Sequence, residues 1–356
     1  MELDELVSLR PVPGAGLLVT VTNRCPLGCA HCSASSTPTG QEPDAAALTG
    51  FVGSFQAGHA PRVMMLTGGE PLLRPGLVVE LARRAQAAGT RTAVLTGAFF
   101  AVREGLADPI RDVIDAVDHF SVSIDAFHER EVPRASAFRL LHRVLERGTA
   151  ASIHAIGATS EDGYLDELAH DVHRAFDGAV PILASTLRPV GRAALWVSAE
   201  PATTRPRTLP CAMAAWPVVA PDGTVLACCN QIVVDRRPVP AHLRLGHIAQ
   251  DGWERIEAAA LASPMLRLIR TTGPEYLARL TAPRESADLP LGHCVSCRAL
   301  DPAKLAGHDA VRLAAGPAGR LLDLESARRQ VEAGAEDFLR RHASGRHAAL
   351  VHARAR

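Results

Sequence analysis

Six short apolar runs alternate with amphipathic segments across residues 17–187, and this alternation limits the fold more than any other feature. Strands that alternate with helices at this spacing form parallel βαβ units. The strands are predicted at residues 17–22, 63–66, 91–95, 120–124, 152–156 and 180–183. Six units are fewer than the eight of a closed barrel. The pattern therefore leaves two α/β folds open, a partial (β/α) barrel and a doubly wound sheet.

Composition excludes several classes of protein. The 38 basic residues balance 38 acidic ones, and aromatic residues are only 4% of the 356. No global charge therefore favours nucleic acid or an anionic membrane, and few rings are available to stack on bases. The N-terminus is acidic and lacks a signal-peptide pattern, and no apolar stretch approaches the ~20 residues of a membrane span. We expect a cytoplasmic protein with neither nucleic-acid nor membrane partners.

Eight cysteines fall into two groups, at positions 25, 29 and 32 and at positions 211, 228, 229, 294 and 297. In a reducing cytosol, clustered thiols indicate metal or redox chemistry rather than disulfides. In the first group, Pro26 and Gly28 argue against a helix and favour a loop after the first strand. Three thiolates are one fewer than an ordinary ferredoxin cluster takes, which would leave one iron open. A zinc site with His31 as the fourth ligand is a weaker interpretation than a cluster. His31 adjoins Cys32, and neighbouring residues hardly reach the same ion in tetrahedral geometry.

The second group surrounds a hairpin predicted over residues 218–227. Cys211 and Cys228 are spaced as C-x11-G-x4-C, with the glycine at Gly223, and Cys294 and Cys297 form a C-x2-C pair. Two such pairs can hold zinc or a second iron–sulfur cluster, so this spacing leaves both readings open. Cys229 is spare, either as a substitute for Cys228 or as a packing residue.

The CxxxCxxC motif after the first strand resembles that of the radical S-adenosylmethionine (SAM) superfamily. The resemblance implies a partial (β/α)6 TIM-like barrel in which Cys25, Cys29 and Cys32 hold a [4Fe–4S] cluster. It also implies that SAM chelates the open iron and is cleaved reductively. The resulting 5′-deoxyadenosyl radical then takes a hydrogen atom from the substrate.

Further motifs of this family follow in order. Gly68, Gly69 and Glu70 match its GGE motif, which implies contact with the SAM amino group. Ser123 and Asp125 resemble the fourth-strand motif expected near the SAM ribose. Arg134 resembles an arginine that pairs with the SAM carboxylate, a role that suits its guanidinium; a solvated charge at a helix entry is the alternative.

The second cysteine group resembles the twitch module, the short form of the SPASM extension. This implies an auxiliary [4Fe–4S] cluster held by Cys211, Cys228, Cys294 and Cys297, suited to accept or relay an electron. Residues 189–193 (PVGRA) resemble a signature near the junction of barrel and module. We predict a radical SAM core over residues 1–200, a β-hairpin and helical twitch-like domain over 201–303, and a helical tail over 304–356.

The resemblance implies an oxidising radical SAM enzyme that matures ribosomal peptides (RiPPs) or other natural products. An aminocyclitol or sugar dehydrogenase or epimerase of the same superfamily is the alternative. Zinc-binding structural proteins and simple two-cluster redox proteins are alternatives from other classes. The expected partners are SAM, a peptide or small-molecule substrate, a reductant such as flavodoxin or ferredoxin, and a separate leader-peptide-binding protein. No catalytic residue is assigned; His154, Arg188 and Asn230 are candidates for substrate contact.

Overall fold

Nine strands form one open sheet in the computed structural model, which describes residues 1–159, 161–198, 209–281 and 292–353. The first six strands are parallel and lie side by side in sequence order. They are β1 Gly16–Thr22, β2 Val63–Gly68, β3 Arg91–Thr96, β4 His119–Ser123, β5 Ala150–Gly157 and β6 Ile182–Thr186. A doubly wound sheet would reverse its strand order, so this order decides for the partial barrel.

One short helix precedes the sheet and five helices connect its parallel strands. They are α1 Leu3–Ser8, α2 Ala45–Gly53, α3 Pro75–Ala87, α4 Asp108–Ala116, α5 Arg134–Glu146 and α6 Gly163–Phe176. Local sequence explains several helix starts. Asp44 caps α2 by accepting a hydrogen bond from the Ala47 amide (2.7 Å), and Asp162 caps α6 in the same way. The buried faces of these helices pack on the sheet and form the main apolar core.

Three strands from the cysteine-rich half extend the same sheet beyond β1. They are β7 Val218–Val219, β8 Thr224–Leu226 and β9 Arg244–His247. β7 runs parallel to β1, whereas β8 and β9 are antiparallel to their neighbours. Gly223 closes the predicted hairpin with a positive φ of +84°, a conformation that glycine adopts readily. The predicted domain boundary at residues 200 and 201 lies outside the described residues, and the domain division stays a prediction.

Most of the remaining described helices pack around a second apolar cluster. The remaining helices are α7 Gln231–Asp235, α8 Trp253–Ala262, α9 Pro264–Thr271, α10 Pro274–Thr281, α11 His293–Ala299, α12 Pro302–Leu305, α13 Asp309–Ala315 and α14 Pro317–His342. Of these, α8 packs on the main core and α14 packs with α1 in a third cluster. The last helix kinks at Gly334. Over the described residues, none of the helices combines the length and the apolar character needed to cross a membrane.

Candidate active site

A cavity of about 240 Å³ opens at the carboxyl ends of the parallel strands. Loops after β1, β2 and β4 and the ends of β3, β5 and β6 form its wall. The predicted site residues that line it are Cys25, Cys29, Cys32, Gly68, Gly69, Ser123 and Asp125, together with His154, a candidate for substrate contact. This is the edge at which barrel enzymes carry their chemistry. Residues from three separate sequence motifs therefore meet in one place.

The cysteine loop is irregular, as the proline and glycine within it predict. We use this name for residues 23–40, which leave β1 and return beside it. The Cys25 amide donates to the Thr37 carbonyl (2.9 Å), and the Leu27 amide approaches the Cys25 sulfur (3.4 Å). Burial raises the pKa of the Cys25 thiol to about 11. All three thiols are free and face the same cavity, so they fit the donor set of an iron–sulfur cluster with an open iron.

Gly68 and Gly69 hold the end of β2 against the chain that enters the cysteine loop. A Cβ atom on Gly68, whose φ is +136°, would lie 2.2 Å from the Thr22 carbonyl oxygen. A Cβ on Gly69 would lie 2.3 Å from the Arg24 carbonyl oxygen. Real Cβ atoms do not approach so closely, so only glycine fits here. The two glycines thereby set the floor of the cavity beside the thiols.

Glu70 lies below the cavity and does not line it. Its fully buried carboxylate accepts hydrogen bonds from the Thr96 hydroxyl (2.8 Å), the Gly97 amide (2.9 Å) and the Leu72 amide (2.9 Å). Burial raises its pKa to about 7, against the lowering effect of these hydrogen bonds. The carboxylate thus joins the ends of β2 and β3. A direct contact of this side chain with the SAM amino group remains a prediction.

Asp125 is the centre of a buried polar network. Its carboxylate lies 2.9 Å from His128 Nδ1 and 3.3 Å from His31 Nε2, and it also accepts the amides of Phe127 and His128. Burial alone would raise the pKa of Asp125, but these hydrogen bonds hold it well below its usual range. Burial opposes protonation of His128, but its hydrogen bonds to Asp125 and Cys29 raise its pKa to about 10. Sequence reasoning missed His128, although its position three residues after Asp125 was a usable signal.

Arg134 is placed away from the cavity, at the start of α5. Its guanidinium pairs with Glu129 (2.6 Å), Glu167 (2.9 Å) and Asp171 (2.6 Å). It also lies over the ring of Tyr164. Three carboxylates satisfy this cation on the outside of the barrel, so the geometry does not support the predicted pairing with the SAM carboxylate. The family motif predicted the type of residue here but not the direction of its side chain.

The second cysteine group gathers around the β7–β8 hairpin. Cys211, Cys228 and Cys297 border the same apolar cluster, and the Asn230 side chain approaches the Cys294 sulfur (3.6 Å). Burial raises the pKa of Cys211 to about 11. Cys229 borders a different apolar cluster, and its sulfur lies 3.2 Å from the Arg10 guanidinium. Both Cys228 and Cys229 lie near the other thiols of the group. Burial is the largest cause of the raised thiol pKa values, and Cys229 adds to it for Cys211 and Cys294. Cys211 and Cys297 likewise add to the raised pKa of Cys228, so Cys228 as the fourth ligand stays a prediction.

The spacing of the thiols bears on the zinc alternative. Zinc–sulfur bonds of ~2.3 Å in a tetrahedron place sulfur atoms about 3.8 Å apart. Among the described residues, one set of three or more potential ligand atoms lies within 4.8 Å of one another, namely His31, Asp125 and His128. In the part of the chain that the structure describes, no three thiols of either group lie within this distance of one another, so neither group is already arranged as a tetrahedral zinc site.

Comparison with known proteins finds similarity in the first part of the chain. The model of the radical SAM superfamily matches residues 19–159. A PqqA peptide cyclase from Ruegeria pomeroyi is 36% identical over 118 residues, which cover 32% of this chain and 29% of that protein. The chain thus matches less than a third of the length of this curated relative.

Solved structures also align with the chain. The crystal structure of Streptococcus suis SuiB bound to precursor peptide SuiA aligns with a TM-score of 0.49 and 11% identity, over 68% of this chain and 64% of SuiB. The structure of BtrN in complex with AdoMet and 2-DOIA aligns with a TM-score of 0.42 and 15% identity, over 72% of this chain and 87% of BtrN.

Proposed function

We propose that the chain is a radical SAM oxidoreductase, because the model of the radical SAM superfamily matches residues 19–159. One observation carries the proposal. Cys25, Cys29 and Cys32, which follow β1, share a cavity with Gly68 and Gly69 at the end of β2 and with Ser123 and Asp125 at the end of β4. When bound, a [4Fe–4S] cluster with SAM at its open iron supplies a 5′-deoxyadenosyl radical that takes a hydrogen atom from the substrate.

The residues of the chain divide this work among them. The three thiolates bind iron, and the backbone at Gly68 and Gly69 allows the methionine end of SAM to approach closely. Ser123 and Asp125 face the same cavity from the end of β4, and in this proposal they bind the ribose hydroxyls of SAM. The buried hydrogen bonds to Asp125 fix its carboxylate in one orientation, so little ordering is needed when the ligand binds.

The cysteines of the second group, Cys211, Cys228, Cys294 and Cys297, hold an auxiliary [4Fe–4S] cluster in this proposal. Four protein ligands would leave no iron open, so this cluster accepts or relays an electron rather than binding substrate. The module that carries it corresponds to residues 201–303, with residues 304–356 as a helical tail. A flavodoxin or ferredoxin is the source of the first electron.

The substrate class that we propose is a ribosomally made peptide. The relative from Ruegeria pomeroyi is named a peptide cyclase, and its similarity to this chain supports this class. A separate leader-peptide-binding protein would then present the precursor. A small precursor-peptide gene beside this one is the expected finding.

Hydrogen transfer is tested with a deuterated precursor peptide, whose label should appear in 5′-deoxyadenosine. Transfer only from an aminocyclitol or sugar would contradict the peptide assignment.

Metal analysis of cysteine variants tests the two cluster sites. After anaerobic reconstitution, the variant with Cys25, Cys29 and Cys32 all changed to Ala should keep about four iron atoms per chain, held by the second group. It should no longer cleave SAM. Loss of all iron would show that the second group does not hold a cluster by itself. Zinc without acid-labile sulfide in the wild type would contradict both cluster sites.

A further inference from the structure

A short segment after β6 lies directly against the cysteine loop. Its centre is Arg192, in the 3-10 helix Gly191–Leu195. The Arg192 amide donates to the Cys32 carbonyl (2.9 Å), and its side-chain Nε donates to the Cys29 carbonyl (2.9 Å). A terminal guanidinium nitrogen donates to the Ser36 carbonyl. One residue therefore satisfies three carbonyl groups of the loop, two of them belonging to cysteines of the first group.

Two neighbours of Arg192 add contacts to the same loop. The Trp196 indole N–H donates to the Ala30 carbonyl (3.0 Å). Gly191 has a φ of +57°, and a Cβ on it would lie 2.3 Å from the Cys32 carbonyl oxygen and 2.2 Å from that of Ser33. Only glycine allows the segment to lie so close to the loop.

The loop needs this external support because it has no regular hydrogen-bonding ladder of its own. Apart from the bond between the Cys25 amide and the Thr37 carbonyl, its internal backbone bonds are local turns, such as the Cys32 amide to the Cys29 carbonyl (3.2 Å) and the Ser35 amide to the Cys32 carbonyl (3.3 Å). Arginine suits the task, since its planar guanidinium offers five donors in fixed directions. Lysine offers a point charge that cannot reach two carbonyls with the same geometry.

We propose that Gly191, Arg192 and Trp196 form a clamp that holds the cysteine loop in its cluster-binding conformation. Arg192 is the main positioning residue of this clamp. The inference rests on the proposed function only in taking Cys25, Cys29 and Cys32 as cluster ligands. It adds that the segment after β6, which is far from the cysteine loop in sequence, holds the three thiols in their relative positions.

The test compares Arg192→Ala and Arg192→Lys with the wild type, each reconstituted anaerobically as the full chain. The matched control is Arg174→Ala, which removes an exposed arginine from α6. The SAM-dependent change in the EPR spectrum of the dithionite-reduced protein reports on the first cluster, because only a cluster with an open iron binds SAM. The decay of this SAM-dependent signal in the presence of an iron chelator measures how firmly the loop holds the metal. Hydrogen exchange measures the protection of the loop amides.

Loss of supporting contacts around metal ligands commonly costs about 10–100-fold in metal affinity. We therefore expect the SAM-dependent signal of Arg192→Ala to decay at least about tenfold faster than that of the wild type, with faster amide exchange across the loop. The decay and exchange rates of Arg192→Lys should lie between those of Arg192→Ala and the wild type. Those of Arg174→Ala should match the wild type. An Arg192→Ala protein with wild-type decay, exchange and EPR spectrum would overturn the clamp.

Two further outcomes keep this test separate from that of the proposed function. A wild-type protein with no SAM-dependent signal would refute the proposed function itself. If Arg192→Ala fails to fold, Gly191→Ala replaces it, and its far-ultraviolet circular dichroism is checked first. A folded Gly191→Ala protein with wild-type loop exchange would also overturn the clamp.

Discussion

Thr96 and Glu70 join the carboxyl ends of two neighbouring strands beneath the cavity. The Thr96 hydroxyl donates to the Glu70 carboxylate and also accepts the Ala98 amide (2.9 Å). A buried acceptor that loses its donor pays its full desolvation cost, which is larger than the net value of the bond. This pair therefore matters more for the shape of the cavity floor than its distance from the thiols suggests.

Replacing Thr96 by Val tests this role. Removing the hydroxyl takes away a donor that both oxygens of the buried Glu70 carboxylate share, and we expect the free energy of unfolding to fall by about 1–3 kcal/mol. Urea unfolding followed by tryptophan fluorescence measures it. Thr90→Val is the matched control, because the Thr90 hydroxyl is buried and has no hydrogen-bond partner among the described residues. Equal destabilisation by both substitutions would contradict the role given to Thr96.

His119 is a buried histidine that the proposed chemistry does not use. Its ring nitrogens face the Met1 carbonyl and the Ser152 hydroxyl, each at 2.8 Å. Burial lowers its pKa from 6.5 to about 4. Between these two values the unfolded chain takes up a proton that the folded chain does not. Stability is therefore highest above pH 6.5 and falls as the pH drops toward 4.

This shift predicts a pH-dependent difference between the wild type and His119→Gln. On lowering the pH from 7.5 to 5, His119 alone should cost the wild type about 2 kcal/mol of unfolding free energy. Over the same pH interval, the unfolding free energy of His119→Gln should fall by about 2 kcal/mol less than that of the wild type, whatever its value at pH 7.5. Urea unfolding at both pH values measures the difference, with His59→Gln as a control on an exposed side chain. Parallel pH profiles for wild type and His119→Gln would rule out a buried neutral His119.

At the scale of secondary structure, the sequence predicted what local patterns determine. All six barrel strands lie within a few residues of their predicted positions, because apolar runs mark them. Residues 253–269 are helical but form two helices, α8 and α9, rather than one. The chain breaks at Ser263, which caps α9, with Pro264 at the first helical position. The pairing of β7 with β1 joins residues about 200 apart, and no local pattern indicates such contacts.

The tail helix α14 is attached to α9 by a buried ion pair. Arg270 and Asp323 are 3% and 7% exposed and lie 2.6 Å apart. Removing one partner of a buried pair leaves an unpaired charge, which costs about 3–5 kcal/mol. Asp323→Ala should therefore lower the free energy of unfolding by that order, as measured by chemical denaturation.

An exposed ion pair on the same helix provides the comparison for Asp323. Glu325 pairs with Arg328 and Arg329 at the surface, and exposed pairs contribute about 1 kcal/mol or less. Glu325→Ala should accordingly be nearly neutral. If Asp323→Ala is as mild as Glu325→Ala, α14 is not held to α9 in the way described.

At the scale of the whole molecule, both cysteine groups depend on one sheet. The first group follows β1, and the second surrounds the hairpin that pairs with β1 through Val218 and Val219. The sequence indicated which cysteines belong to each group. It did not indicate that Arg134 faces away from the cavity or that Arg192 faces the loop, because side-chain direction depends on distant neighbours.

The most direct test of the central claim is the formation of 5′-deoxyadenosine. The wild-type chain, reconstituted anaerobically with iron and sulfide, is reduced with dithionite in the presence of SAM, and the products are measured by liquid chromatography and mass spectrometry. We predict 5′-deoxyadenosine from the wild type and none from the variant lacking Cys25, Cys29 and Cys32. An iron-loaded, reduced wild-type protein that leaves SAM intact would contradict the assignment of this chain as a radical SAM enzyme.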